Sequence, residues 1–247
     1  MFSFISENQT VWYETADEET IYKKAKIMSQ NPKTQKASIQ LLDSQKIQEN
    51  INFTLLQQCS EFKEQTTFDD MVVMDVMNEA EILWNIKKRF LKDQIFSYIG
   101  NTLLFLNPYK EISQEFDNET LHLFKNENNN RPHIYALANT AFRQLIKTKK
   151  NQAIVISGES GAGKTENAKF CMRFLTCWNS EEEKDAESNV LDEKLPLTPK
   201  IDIGINFYIV MSFSFKNYQK FIISFFRNIH KYYNFFRKQN FEMQSDS

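Results

Sequence analysis

The rhythm of hydrophobic and polar positions changes along the chain. From Thr10 to Phe62 the apolar residues come in short groups, Val11-Trp12-Tyr13, Ala25-Lys26-Ile27, Ser38-Ile39-Gln40-Leu41 and Ile51-Asn52-Phe53, separated by polar turns. Groups of that length predict short strands of a small β-barrel, with an irregular polar arm as the alternative. From Asn78 the period lengthens. Ile82, Leu83, Ile86 and Phe90 fall on one helical stripe, Asn78 is placed to cap it, and Lys87, Lys88 and Arg89 suit its negative end. Thr102 to Leu106 then reads as a buried strand closed by Asn107-Pro108.

The polar, Asn-rich stretch from Phe116 to Asn130 predicts a surface loop with room for one helical turn. Pro132 is expected to open a helix on which Ile134, Leu137, Ala138, Ala141, Phe142 and Leu145 repeat at helical spacing. The four apolar residues Ala153 to Ile156 predict a strand buried on both faces, as in the centre of an α/β sheet. Cys171, Phe174, Leu175 and Trp178 stand at i, i+3, i+4 and i+7 and predict a helix beyond it.

Between that strand and that helix lies Gly158-Glu159-Ser160-Gly161-Ala162-Gly163-Lys164-Thr165, which satisfies G-x-x-x-x-G-K-[ST]. The chain has only five glycines, and three of them are in these eight residues. Glycines let successive backbone N–H groups turn inward into an anion nest at the positive end of the next helix. Lys164 is expected to reach the β- and γ-phosphates of a nucleotide, and Thr165 to place its hydroxyl on magnesium.

Composition narrows the partners. A formal net charge of -2 provides no field for DNA, RNA or an acidic membrane. Cys59, Cys171 and Cys177 cannot all pair and form no zinc-binding pattern, which fits a reducing, cytoplasmic setting. Met1 to Thr10 lacks the basic flank and cleavage site of a signal peptide. The apolar run Ile203 to Phe215 falls short of the roughly 18 to 20 residues of a membrane span. His122, His133 and His230 read as structural residues, and Glu181-Glu182-Glu183 as a solvated loop.

The loop is more specific than its general pattern. With Glu166-Asn167-Ala168-Lys169 behind it, Gly158 to Thr165 resembles the P-loop of myosins. The stretch from Asp70-Met71 to Asn78-Glu79, with Ile82 to Arg89, is similar to the start of the myosin motor. Tyr98-Ile99-Gly100 with Leu106-Asn107-Pro108-Tyr109-Lys110 resembles the purine-contacting strand and loop, and Pro132 to Ala138 the helix leading to the P-loop strand. Val11-Trp12 with Lys24 to Ile27 resembles the small barrel that precedes many myosin motors.

The resemblance covers roughly residues 10 to 180 and implies the rest of the reading. The fold class is then α/β: a P-loop NTPase-type fragment of a myosin motor core with a small SH3-like β-barrel before it. Residues 1–62 would be the barrel-like subdomain, 63–180 the incomplete motor-like P-loop region, and 181–247 a divergent tail rich in Phe, Ile, Asn and Lys. ATP and Mg2+ are the implied cofactors and the actin filament the implied partner, in a cytoplasmic, cytoskeletal setting. Asn107, Pro108 and Tyr109 would lie near the adenine ring and Lys110 at the mouth of the pocket. One departure concerns the aromatic several residues beyond the N-P-Y-K string, which is out of register because Glu115 precedes Phe116.

In that family a Ser-Ser-Arg switch and an Asp-x-x-Gly-Phe-Glu switch follow the P-loop, and neither string occurs here; Asp202-Ile203-Gly204 has the wrong spacing. Since hydrolysis needs groups that orient water and stabilise the transferring phosphoryl group, the expectation is ATP binding with no catalytic residue. From about Leu195 the composition is that of A/T-rich codons, as in translated non-coding sequence, and predicts amphipathic helices or an aggregation-prone tail. The alternatives are a non-motor P-loop nucleotide-binding protein and a non-functional truncated product.

Overall fold

A computed structural model describes residues 6–16, 21–61, 66–126, 129–186 and 206–214. The chain forms two compact units, Met1–Phe68 with Val73–Lys88 and Asp69–Val72 with Arg89–Ser247.

In the first unit, β1 (Thr10–Glu14), β2 (Tyr22–Asn31), β3 (Lys36–Leu41), β4 (Ile47–Asn52) and β5 (Leu56–Gln58) form an antiparallel sheet in the order β4-β3-β2-β1-β5. The sheet is consistent with the SH3-like subdomain expected from the sequence. Alternate residues of β2 and β3, Ala25 and Ile27 with Ala37, Ile39 and Leu41, face one apolar cluster that Val11, Phe53 and Leu56 complete. That is the period-2 burial of a one-faced sheet. The helix α1 (Glu79–Phe90) starts in this unit, and Asn78 Oδ1 caps it by accepting from the Glu81 N–H at 3.0 Å. The Glu81 side chain is itself buried, its Oε1 accepting from Trp12 Nε1 at 2.8 Å and from the Ser60 N–H at 2.7 Å.

The second unit is built on a four-stranded sheet of β6 (Phe96–Ile99), β7 (Thr102–Asn107), β8 (Gln152–Gly158) and β9 (Asn206–Ser214), in the order β6-β7-β9-β8. Only β6 and β7 are antiparallel; β9 runs parallel to both of its neighbours. Three helices accompany the sheet: α2 (Asn118–Asn126), α3 (Ile134–Thr148) and α4 (Lys164–Ala186). Phe96, Leu103, Phe105, Phe124, Tyr135 and Phe174 lie in one core cluster that draws on β6, β7 and all three helices. Each such side chain stabilises the unit by about 1.5–3 kcal/mol relative to exposure.

Several expectations change here. The Phe116–Asn130 stretch contains a full helix, because Asp117 Oδ1 caps it through the Thr120 N–H at 2.7 Å and Leu121 and Phe124 are buried in the core. Pro132 lies outside α3, whose cap is His133. Among the described residues β8 pairs on one side only, with β9, and its residues are mostly half-buried, so it does not occupy the sheet centre. The slot between β7 and β8 belongs to β9, where a helix or an aggregation-prone tail was expected; its run of β-branched and aromatic residues suits a parallel strand. The remainder of the stretch after Leu195, with Asp202 and His230, lies outside the described residues. Glu181-Glu182-Glu183 continues α4 instead of forming a loop. Arg89, expected as a cation at the end of α1, is buried there and donates to the Phe96 carbonyl at 2.8 Å, to Ser97 Oγ at 2.8 Å and to Asp69.

Candidate functional site

At the carboxyl end of β8 the chain turns from Gly158 through Gly163 and begins α4 at Lys164. The turn needs glycine for two separate reasons. Gly161 and Gly163 have φ of 75° and 90°, a region L side chains avoid. Gly163 also lies directly on β7: a Cβ there would stand 2.7 Å from Phe105 Cε1. The Phe105 ring thus forms a floor that fixes where α4 can start.

The amide of Asn167 tightens the same point. Its backbone N–H and its Nδ2 both donate to the Gly163 carbonyl, at 3.0 and 3.1 Å. This is the first rung of the α4 ladder, so the N–H groups of Lys164, Thr165 and Glu166 precede it and have no intrahelical partner. They carry the positive end of the helix dipole. Asn167 is 1% exposed, and its Oδ1 is buried without a hydrogen-bond partner among the described residues.

Lys164 Nζ folds back across the turn and donates to the carbonyls of Gly158 at 2.9 Å and Glu159 at 2.6 Å. An ammonium group has three donors, so one remains, and no carboxylate among the described residues pairs with this charge. Thr165 is exposed on the first turn of α4. Glu166 is engaged by Lys169 at 2.7 Å. A positive helix end, an ammonium without a carboxylate and an exposed hydroxyl form a donor set for a polyanion. Among the described residues no three His, Cys, Asp or Glu side chains gather as a metal site.

The expected purine residues come to this turn from the end of β7. Asn107 Nδ2 donates to the Gly161 carbonyl at 2.8 Å, and the Tyr109 hydroxyl donates to the same oxygen at 3.2 Å. Asn107 Oδ1 accepts from the Tyr109 N–H at 2.9 Å around Pro108. Lys110 points elsewhere, pairing with Asp93 at 2.5 Å. Phe116, the aromatic out of register, stacks on Phe170 with ring centroids 3.9 Å apart and belongs to the core.

His133 is structural, as expected, though its role was not legible. It is fully buried, flanked by Phe96, Phe116, Phe124 and Tyr135, with its ring stacked on Phe124 at 4.7 Å. Its Nδ1 accepts from the Tyr135 N–H at 3.0 Å, capping α3, which leaves the proton on Nε2 facing the Glu115 carbonyl at 3.0 Å. Burial, and then the nearby Arg131 charge, hold its pKa well below 6.5, so the 3.7 Å approach to the Glu115 carboxylate is not an ion pair at neutral pH. Sequence reasoning missed Phe105 as the steric floor, Arg89 as a buried clamp, and the paired donors on Gly161. Asn167 stands in the family-like continuation of the loop, where the string alone gives no sign of its role.

Comparison with known proteins matches residues 68–201 to the myosin head (motor domain) family. Myosin-M heavy chain of Dictyostelium discoideum is 41% identical over 157 residues, 62% of this chain and 9% of that protein. Unconventional myosin-VI of Sus scrofa is 43% identical over 110 residues, 44% of this chain and 9% of its own length. Myosin-3 of Arabidopsis thaliana is 41% identical over 107 residues, 43% of this chain and 9% of its own length. The chain therefore spans less than a tenth of the length of these relatives.

Proposed function

Because the chain belongs to the myosin head (motor domain) family, we propose that Gly158–Thr165 is a P-loop for Mg·ATP and that the chain is the ATP-binding portion of an actin-based motor. The observation that carries this reading is the Lys164 ammonium, held against two loop carbonyls with no carboxylate among the described residues to neutralise it. A polyphosphate supplies the missing charge. The N–H groups at the start of α4 and Lys164 hold the phosphates, and the Thr165 hydroxyl is the ligand offered to magnesium. Magnesium, when bound, offsets charge on the phosphates.

The family also favours a cytoskeletal setting and actin as the partner, both of which belong to this proposal. Among the described residues no helix is long and apolar enough to cross a membrane. We assign these 247 residues nucleotide binding without turnover, since neither switch string that would orient water and stabilise the transferring phosphoryl group occurs in them. The domain reading goes with it: a barrel-like subdomain over 1–62, a motor-like region over 63–180 and a divergent tail over 181–247.

Thermal unfolding tests the site. A ligand that binds only the folded state at a hundred times its Kd adds about 2.7 kcal/mol of stability. Mg·ATP should therefore raise the Tm of the unaltered chain and leave that of Lys164→Ala where it was. An equal rise in both would contradict the assignment.

A further inference from the structure

Tyr109 is the one residue of the β7 turn with a left-handed backbone, at φ 50°, a conformation unfavourable for a tyrosine. Its ring is more than half exposed, so burial of the side chain does not explain the strain. Its hydrogen bonds do. Asn107 Oδ1 takes the Tyr109 N–H at 2.9 Å, and this brings the Tyr109 hydroxyl and Asn107 Nδ2 onto a single acceptor, the Gly161 carbonyl, at 3.2 and 2.8 Å.

The Gly161 C=O and the Ala162 N–H belong to one planar trans peptide and point in opposite directions. Holding the carbonyl outward with two donors therefore turns the Ala162 N–H inward. It faces the Glu159 carbonyl at 3.3 Å, a long bond that an anionic oxygen can readily replace. We propose that Asn107 and Tyr109 are positioning residues for the phosphate loop, latching the Gly161–Ala162 peptide so that its N–H is aimed at phosphate. This rests on the P-loop reading and departs from the adenine contacts that the family resemblance implies. In this arrangement the two side chains act on the triphosphate, and their effect is indifferent to the base.

The test separates base from phosphate on the full chain. Calorimetry would measure the affinity of the unaltered protein, Tyr109→Phe and Asn107→Ala for Mg·ATP and for inorganic Mg·tripolyphosphate. Each variant should lose roughly fivefold to tenfold for both probes alike. The unliganded melting temperature should stay put, while the Ala162 amide resonance moves in 1H–15N spectra without ligand. A role confined to fold stability would lower the melting temperature and leave the affinity of folded material unchanged, and would overturn the latch. So would a loss for ATP with tripolyphosphate unaffected, which would move both side chains to the base, or no loss for either probe. If Asn107→Ala fails to fold, Tyr109→Phe, which keeps the ring, decides. If the folded, unaltered chain binds neither probe, the P-loop reading itself fails and the latch with it.

Discussion

In the N-terminal sheet the ordering elements are side chains: Ala25, Ile27, Ala37, Ile39 and Leu41 turn inward to one apolar cluster, across register shifts that fall beside Ile27 and Ala37. In the turn between β8 and α4 the ordering elements are backbone groups. The carbonyls of Gly158, Glu159, Gly161 and Gly163 each receive a side-chain donor, from Lys164, Asn107, Tyr109 or Asn167. The first region gains stability from buried apolar area. The second region uses its side chains to fix peptide planes and, at Gly163, has no room for a methyl group unless the Phe105 ring shifts.

The largest expected effect is on stability in the first region. Ile39 is fully buried, and Ile39→Ala should cost about 2–5 kcal/mol in denaturant unfolding. Folded material should keep its Mg·ATP affinity; a parallel loss of affinity would erase the contrast between the regions. Next comes Gly163→Ala, which meets the Phe105 ring at φ 90° and should cost about 1–3 kcal/mol. Here nucleotide affinity should fall by more than tenfold, read by calorimetry, even where enough folded protein remains to measure it.

A smaller effect sharpens the role of His133. An unfolded chain takes up a proton on this ring near pH 6.5, whereas the folded chain does so only well below that value. Stability contributed by the neutral ring is thus present above pH 6.5 and lost as pH falls beneath it, by no more than about 1.4 kcal/mol per pH unit. Unfolding midpoints measured between pH 7 and 5 should show that slope, and His133→Asn, which keeps a capping acceptor, should flatten it. Smallest of all is Lys110→Ala. Its pair with Asp93 is more than half exposed on both sides, so the change should stay within about 0.5 kcal/mol and leave Mg·ATP affinity nearly unchanged.

The same contrast explains what could be read from sequence. Strands packed by alternation, the stripe and cap of α1, and the stripe of α3 were legible because each repeats a period or carries a residue of known capping habit. The turn at Gly158–Gly163 was legible because three of the chain's five glycines fall within it, between an apolar run and a helical stripe. Helix α2 was hidden because only Leu121 and Phe124 report its buried face, within a stretch of Asn and Glu typical of loops. The α3 cap escaped because histidine is not among the usual capping residues and gains that role only where aromatic packing keeps it neutral. Strand β9 has no period to distinguish it from a buried helix, and its partner strands β7 and β8 are far away in sequence. The donors on Gly161 come from 52 and 54 residues earlier, a distance that no local pattern spans.

The central claim is that the turn from Gly158 to Thr165 holds a polyphosphate through Lys164 and the start of α4. Calorimetric titration of Mg·ATP into the folded chain tests it most directly. One saturable binding event per chain, absent in Lys164→Ala, is the predicted result; dilution heat alone from the folded, unaltered chain would contradict it.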